Sequence, residues 1–103
     1  GRTMTYDELV SKRDDLMHLL GNSNDPSARQ AIKVALKRVG VLIEFDELGA
    51  EVLDQGYGRN LVIDNEFTYI VATGKWRTNA VDKWYSSRGP EYFYKKVQQG
   101  EYV

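Results

Sequence analysis

The chain has no cysteine, one histidine and two prolines in 103 residues. Without thiols there are no disulfides, no thiolate nucleophiles and no thiolate metal sites. That fits a reducing compartment. His18 falls opposite the apolar stripe of its helix, near Ser11, Asp14 and Asp15. A zinc centre needs three or four ligands, and a catalytic imidazole needs an orienting partner; His18 has neither in the pattern. No apolar run approaches the roughly 20 residues that span a bilayer. No signal-peptide pattern opens the chain. The expectation is a cytoplasmic protein with no membrane partner.

Catalytic signatures are missing too. There is no HExxH, GxSxG, EF-hand loop or zinc-deaminase pattern. Gly56-Tyr57-Gly58 lacks a following Gly-Lys-Ser/Thr and precedes an expected strand, so it reads as a linker or bulge. The adjacent pairs Asp14/Asp15 and Asp46/Glu47 point about 100° apart on a helix and make no general-acid pair. These absences predict a non-enzymatic protein with no cofactor and no metal. An enzyme built from scattered carboxylates or tyrosine hydroxyls is the weakest alternative.

What is present is ordinary in amount and uneven in placement. A composition 42% hydrophobic and 28% charged is that of a globular chain, and the length fits one domain. Gly1 to Thr3 reads as an expression scar before Met4. Residues 4–56 form the helical half and 57–103 the β-meander with a terminal helix. Up to residue 56, seven Lys/Arg face ten Asp/Glu, a balance of −3; after it, seven face five, a balance of +2. Ten of the twelve aromatics lie in the second half.

Thr5-Tyr6-Asp7-Glu8 has capping-box spacing and predicts a helix from about Tyr6 to Leu20, stopped by Gly21. Its apolar stripe is Tyr6, Leu9, Val10, Leu16, Met17 and Leu20, with Arg13 in the middle snorkelling to a carboxylate. Asp25-Pro26 starts a second helix. That helix carries two apolar ridges, one through Ile32, Leu36 and Val39, the other through Ala31, Val34, Leu42 and Phe45. Such a helix is packed on two sides, and its spare apolar surface predicts a homodimer. Val41 to Phe45 suits either the helix or a short buried strand.

Segments 60–64 and 67–72 are β-branched and aromatic, joined by the turn Asp64-Asn65-Glu66. Lys75-Trp76-Arg77 and Lys83-Trp84-Tyr85 read as two more strands. Gly89-Pro90-Glu91 opens a last helix, Phe93 and Val97 give it an apolar pair, and Gly100 closes it. The predicted class is α+β: an antiparallel helical hairpin, a three- to four-stranded antiparallel meander, and a short C-terminal helix.

Two surfaces are candidate sites. The first is a basic aromatic ribbon: Lys75, Trp76, Arg77, Lys83, Trp84, Tyr85, Arg88, Tyr92, Lys95 and Lys96. Residues 75–96 carry six positive charges against two negative. Cations neutralise phosphates and flat rings stack on unpaired bases, so DNA or RNA is a candidate partner. Strand alternation would put Trp76 and Trp84 on one face and the charges on the other. The competing expectation is that the rings are core and the charges a solvated face. The second candidate is the acidic run Glu44, Asp46, Glu47, Glu51 and Asp54, which suits a basic partner surface or a solvated helix end.

The order of helical hairpin, β-hairpin, then Thr73-Gly74-Lys75-Trp76-Arg77 with Lys83-Trp84-Tyr85 and a final helix resembles small uncharacterised accessory proteins of tailed bacteriophages. The resemblance covers the layout and about a dozen residues near the tryptophans, and it carries no defined site. It implies a protein that binds host or defence machinery.

Overall fold

A computed structural model of the chain describes residues 4–55 and 59–100. The expected scar at Gly1 to Thr3 and the linker or bulge at Gly56-Tyr57-Gly58 lie outside the described residues. The elements are α1 (Tyr6–Asn22), α2 (Pro26–Glu47), β1 (Val52–Gln55), β2 (Asn60–Ile63), β3 (Phe67–Ile70), β4 (Trp76–Thr78) and α3 (Pro90–Gln98). The class is α+β, as the sequence predicts.

Most helix ends follow their local chemistry, but α1 runs through the expected stop at Gly21 to Asn22 and is capped by Ser23. Thr5 and Glu8 form the reciprocal capping box: Glu8 N–H donates to Thr5 Oγ1 at 3.3 Å, and Thr5 N–H to Glu8 Oε1 at 3.1 Å. Asp7 and Glu8 also meet the positive end of the helix dipole. Asp25 caps α2 by accepting from Ala28 N–H, with Pro26 in the first turn. Arg29 turns back and donates through Nη1 to the carbonyls of Leu20 and Ser23, at 2.7 and 2.9 Å. Those carbonyls lie at the end of α1, where helical acceptors run out of partners. Arg29 thus locks the α1–α2 connection.

α2 runs unbroken through Val41–Phe45, which settles that segment as helix. It ends in a Schellman motif. Gly49, at φ 79°, donates to Asp46, and Ala50 donates to Phe45.

The sheet has the order β1-β2-β3-β4, every pair antiparallel. Its first strand lies where an acidic helix end was expected, inside the residues assigned above to the helical half. The expected strand 83–85 is absent as a strand; only Tyr85 bridges to Trp76, through paired bonds of 3.0 and 2.8 Å. β1 was hidden because Val52-Leu53-Asp54-Gln55 sets two apolar residues before two polar ones and shows no period-two alternation. The β2–β3 turn places Asp64 and Asn65 at φ 53° and 57°, and Glu66 N–H closes it on Ile63. Asp and Asn tolerate this left-handed region better than most residues. Gly74, at φ 75°, is held more tightly: a Cβ there would stand 2.7 Å from the Ser87 carbonyl oxygen.

One sheet face is the core. Leu61, Ile63, Phe67, Tyr69 and Trp76 pack under Val41 and Phe45 of α2 and Phe93, Tyr94 and Val97 of α3. Phe93 is the hub, with ring centroids 5.0–5.9 Å from Trp76, Tyr69, Phe67 and Phe45. A second, smaller cluster of Leu9, Val39 and Ile43 joins α1 to α2.

The helical hairpin outruns this core. No residue from Val10 to Arg38 is fully buried. The molecule measures 46 × 26 × 23 Å, and its 14.5 Å radius of gyration exceeds the ~13 Å of a compact chain this long. α1 and the first half of α2 form an arm. Of the expected α1 stripe, only Leu9 is fully buried; Tyr6 and Met17 are exposed. Arg13 is half exposed, with its guanidinium 4.0 Å from Asp14. No described helix is long and apolar enough to cross a membrane.

Candidate interaction surface

The structure divides the basic aromatic ribbon. Trp76 is in the core at 1% exposure, so it has no face to offer a ligand. Trp84, expected on the same sheet face, is 44% exposed in the loop beyond β4. The shared-face expectation fails because residues 79–89 are not a strand, so period-two alternation stops at Thr78.

Cations sit over the remaining rings. The Arg77 guanidinium carbon is 5.3 Å from the Trp84 ring centroid, and its Nη1 is 3.0 Å from Asp82 Oδ1. The Lys83 ammonium is 5.2 Å from the Tyr85 centroid. Tyr85 in turn stacks on Trp76 at 4.6 Å and 19°. Lys83, Tyr85 and Trp76 thus form a stack from solvent to core. Arg88 lies 5.8 Å from the Tyr92 ring, which is 57% exposed. Each contact contributes about 0.5–1 kcal/mol where water competes. The main effect is to hold long cationic side chains in fixed positions. Lys75, Lys83, Arg88, Lys95 and Lys96 form no ion pair with a described residue.

Arg88 and Tyr92 also line a cleft of about 380 Å³ between α2, the β3–β4 turn and the start of α3. Lys37, Glu44, Tyr69, Thr73, Ser87 and Glu91 complete its polar wall. Burial pushes the Tyr69 hydroxyl up, against an opposing hydrogen bond with Ser87. Burial, then the carboxylates of Glu91 and Glu47, push Glu44 up. Sequence reasoning missed this cleft because it joins residues more than 40 positions apart.

The acidic run does not make one surface. Glu44, Asp46 and Glu47 lie on the last turn of α2 and Glu51 on the following connection. Tyr6 Oη donates to Glu47 Oε2 at 3.4 Å. Asp54 alternates toward α2 from β1 and is taken up by Arg38. Their pair borders a second cavity of about 150 Å³ between α1, α2 and β1. Among the described residues, no three His, Cys, Asp or Glu side chains group to hold a metal ion.

No protein-family model, curated protein or solved structure matches this chain.

Proposed function

We propose that the chain is a non-enzymatic binding protein that occupies a surface on a protein target through Trp84, Arg77, Lys83, Arg88 and Tyr92. One observation carries the reading. Trp84, the largest exposed apolar side chain, stands in a loop with the Arg77 guanidinium laid on its ring. Tryptophan, tyrosine and arginine are the residues that dominate protein interfaces when desolvated. Trp84 is anchored at low entropic cost because Arg77 is itself held by Asp82. The resemblance to phage accessory proteins supports a host or defence protein as that target.

Nucleic acid is the second reading. The cations Lys75, Lys83, Arg88, Lys95 and Lys96, which have no ion-pair partner among the described residues, favour it. Against it, the aromatic faces are already covered by the protein's own cations, and Asp82 and Glu91 interrupt the positive charge.

The test is affinity capture from bacterial lysate with the wild type beside Trp84→Ala and Tyr92→Ala. A protein held by the wild type and lost from both variants supports the reading. Equal capture by all three defeats it. Saturable binding of short DNA or RNA that falls steeply with salt would promote the second reading.

A further inference from the structure

Two glycines in the cleft between α2, the β3–β4 turn and α3 are required by neither backbone nor packing. Gly40 lies in the interior of α2, where glycine is less stable than alanine. A Cβ there would meet nothing within 4 Å beyond its own helix. Gly89 caps α3 from extended backbone that any residue adopts, and a Cβ there also enters open space. Serine, asparagine or aspartate would cap better; Gly89 leaves the first-turn N–H groups of α3 without a side-chain acceptor. Both glycines line the cleft and keep bare backbone open to it.

The same cleft gathers charges of both signs. Lys37 and Arg88 bring two cations, Glu44 and Glu91 two carboxylates. None of these side chains forms an ion pair with a described residue. Lys37 Nζ is held at the wall by its 3.0 Å bond to the Ala72 carbonyl, and Arg88 lies over the Tyr92 ring. Lys37 and Glu44 stand seven residues apart on α2 with Gly40 between them, about 10 Å along the helix axis. Glu91 repels Glu44 across the gap between α2 and α3. The floor is apolar, with Val41 and Val71 both buried.

We infer that this cleft binds a small zwitterion, a free amino acid or a dipeptide, with its ammonium group between Glu44 and Glu91 and its carboxylate at Lys37 and Arg88. The body of the ligand lies over Gly40, in the space that a side chain would fill. A cation between Glu44 and Glu91 relieves their repulsion, and an anion at the other end meets two cations that lack a carboxylate partner. A ligand of one sign would compensate only one end. The volume of about 380 Å³ falls within the roughly 300–1,000 Å³ of small-molecule clefts. The inference goes beyond the Trp84 reading and does not need it, although Arg88 and Tyr92 border both surfaces.

Isothermal titration calorimetry on the full chain tests it, with the common α-amino acids, diglycine and glycylleucine as probes, each up to about 10 mM. The expected result is saturable binding of at least one probe, and the tighter class tells a free amino acid from a peptide. The matching amine and the matching carboxylic acid, each lacking one charge, bind at least about tenfold more weakly. Glu44→Gln and Arg88→Gln each weaken binding about tenfold. Gly40→Leu fills the open space and abolishes binding, while Gly40→Ala melts at or above the wild-type temperature because no contact needs the glycine. Absence of binding by every probe overturns the inference. So does an amine or acid that binds as well as the zwitterion, or binding that survives Gly40→Leu. A lowered melting temperature in Gly40→Ala also overturns it, since the glycine would then serve packing.

Discussion

Tyr94 donates a 2.6 Å hydrogen bond to Asp64 Oδ2, tying the terminal helix to the β2–β3 turn across 30 residues of chain. The other oxygen of Asp64 accepts from Glu51 N–H at 2.8 Å, and Asp64 N–H donates back to the Glu51 carbonyl at 2.8 Å. One carboxylate thus joins α3, the turn and the lead into β1. It does so from a left-handed backbone position that few residues other than glycine, asparagine and aspartate adopt readily.

Asp64→Ala should therefore destabilise by more than one lost hydrogen bond. It removes the acceptor of both the Tyr94 hydroxyl and the Glu51 N–H at once, and a hydrogen bond to a charged group contributes about 1.5–3 kcal/mol. Asp64→Asn keeps an acceptor and the turn geometry, and should lose less. Urea unfolding of both variants checks this; an Asp64→Ala midpoint equal to wild type refutes the tie.

The same bond gives the stability an alkaline limb. Tyr94 is pushed from 10.0 up to about 12 by its bond to Asp64, then by burial, then by the Asp64 charge. Between those values the folded protein holds a proton that the unfolded chain has released, so stability falls as pH rises. The contribution is complete below pH 10 and disappears through 12. Tyr69 is raised too, so it adds to the same limb. Tyr94→Phe should lower stability at neutral pH and flatten the fall above pH 10. Thermal melts across that range read both effects.

Phe93→Ala should cost about 3–5 kcal/mol, the range for removing a fully buried aromatic. Its ring contacts Phe45, Phe67, Tyr69 and Trp76, so the cavity opens at the meeting point of α2, α3 and the sheet. A chain this size has only about 5–15 kcal/mol in hand. Phe93→Leu fills part of the space and should lose less. Denaturant midpoints of the two variants measure the difference.

The legible parts of the fold were those with local chemistry. Thr5 with Glu8, Asp25-Pro26 and Gly89-Pro90 mark helix ends through caps and backbone preference, and Asp64-Asn65 marks a turn in the same way. The illegible parts depend on what lies across the molecule. Val52–Gln55 is a strand because β2 offers it a partner, not because of its own pattern. Lys83-Trp84-Tyr85 repeats the composition of Lys75-Trp76-Arg77, yet only Tyr85 finds a bridge. Asp54 looked like free charge until β1 turned it toward Arg38. The second ridge of α2 is split by the sheet's extent: Phe45 reaches the core at 0% exposure, while Val34 projects past it.

That split between look-alike segments can be read optically. Trp76 lies beneath Tyr85 and beside Phe93, in an apolar surrounding that should give blue emission shielded from iodide. Trp84 is nearly half exposed beside the Arg77 cation and should give redder emission that iodide reaches. Trp84→Phe should remove the quenchable component and leave the unfolding free energy within about the ±0.5 kcal/mol spread of surface substitutions. Trp76→Phe should remove the shielded component and lower the melting temperature, since the smaller ring leaves space against Phe93. If Trp84→Phe instead unfolds the protein, the ring is a structural element and the loop is no free binding surface. If it leaves both fold and target capture intact, Trp84 is not the anchor, and the contact passes to Arg88 and Tyr92 at the cleft.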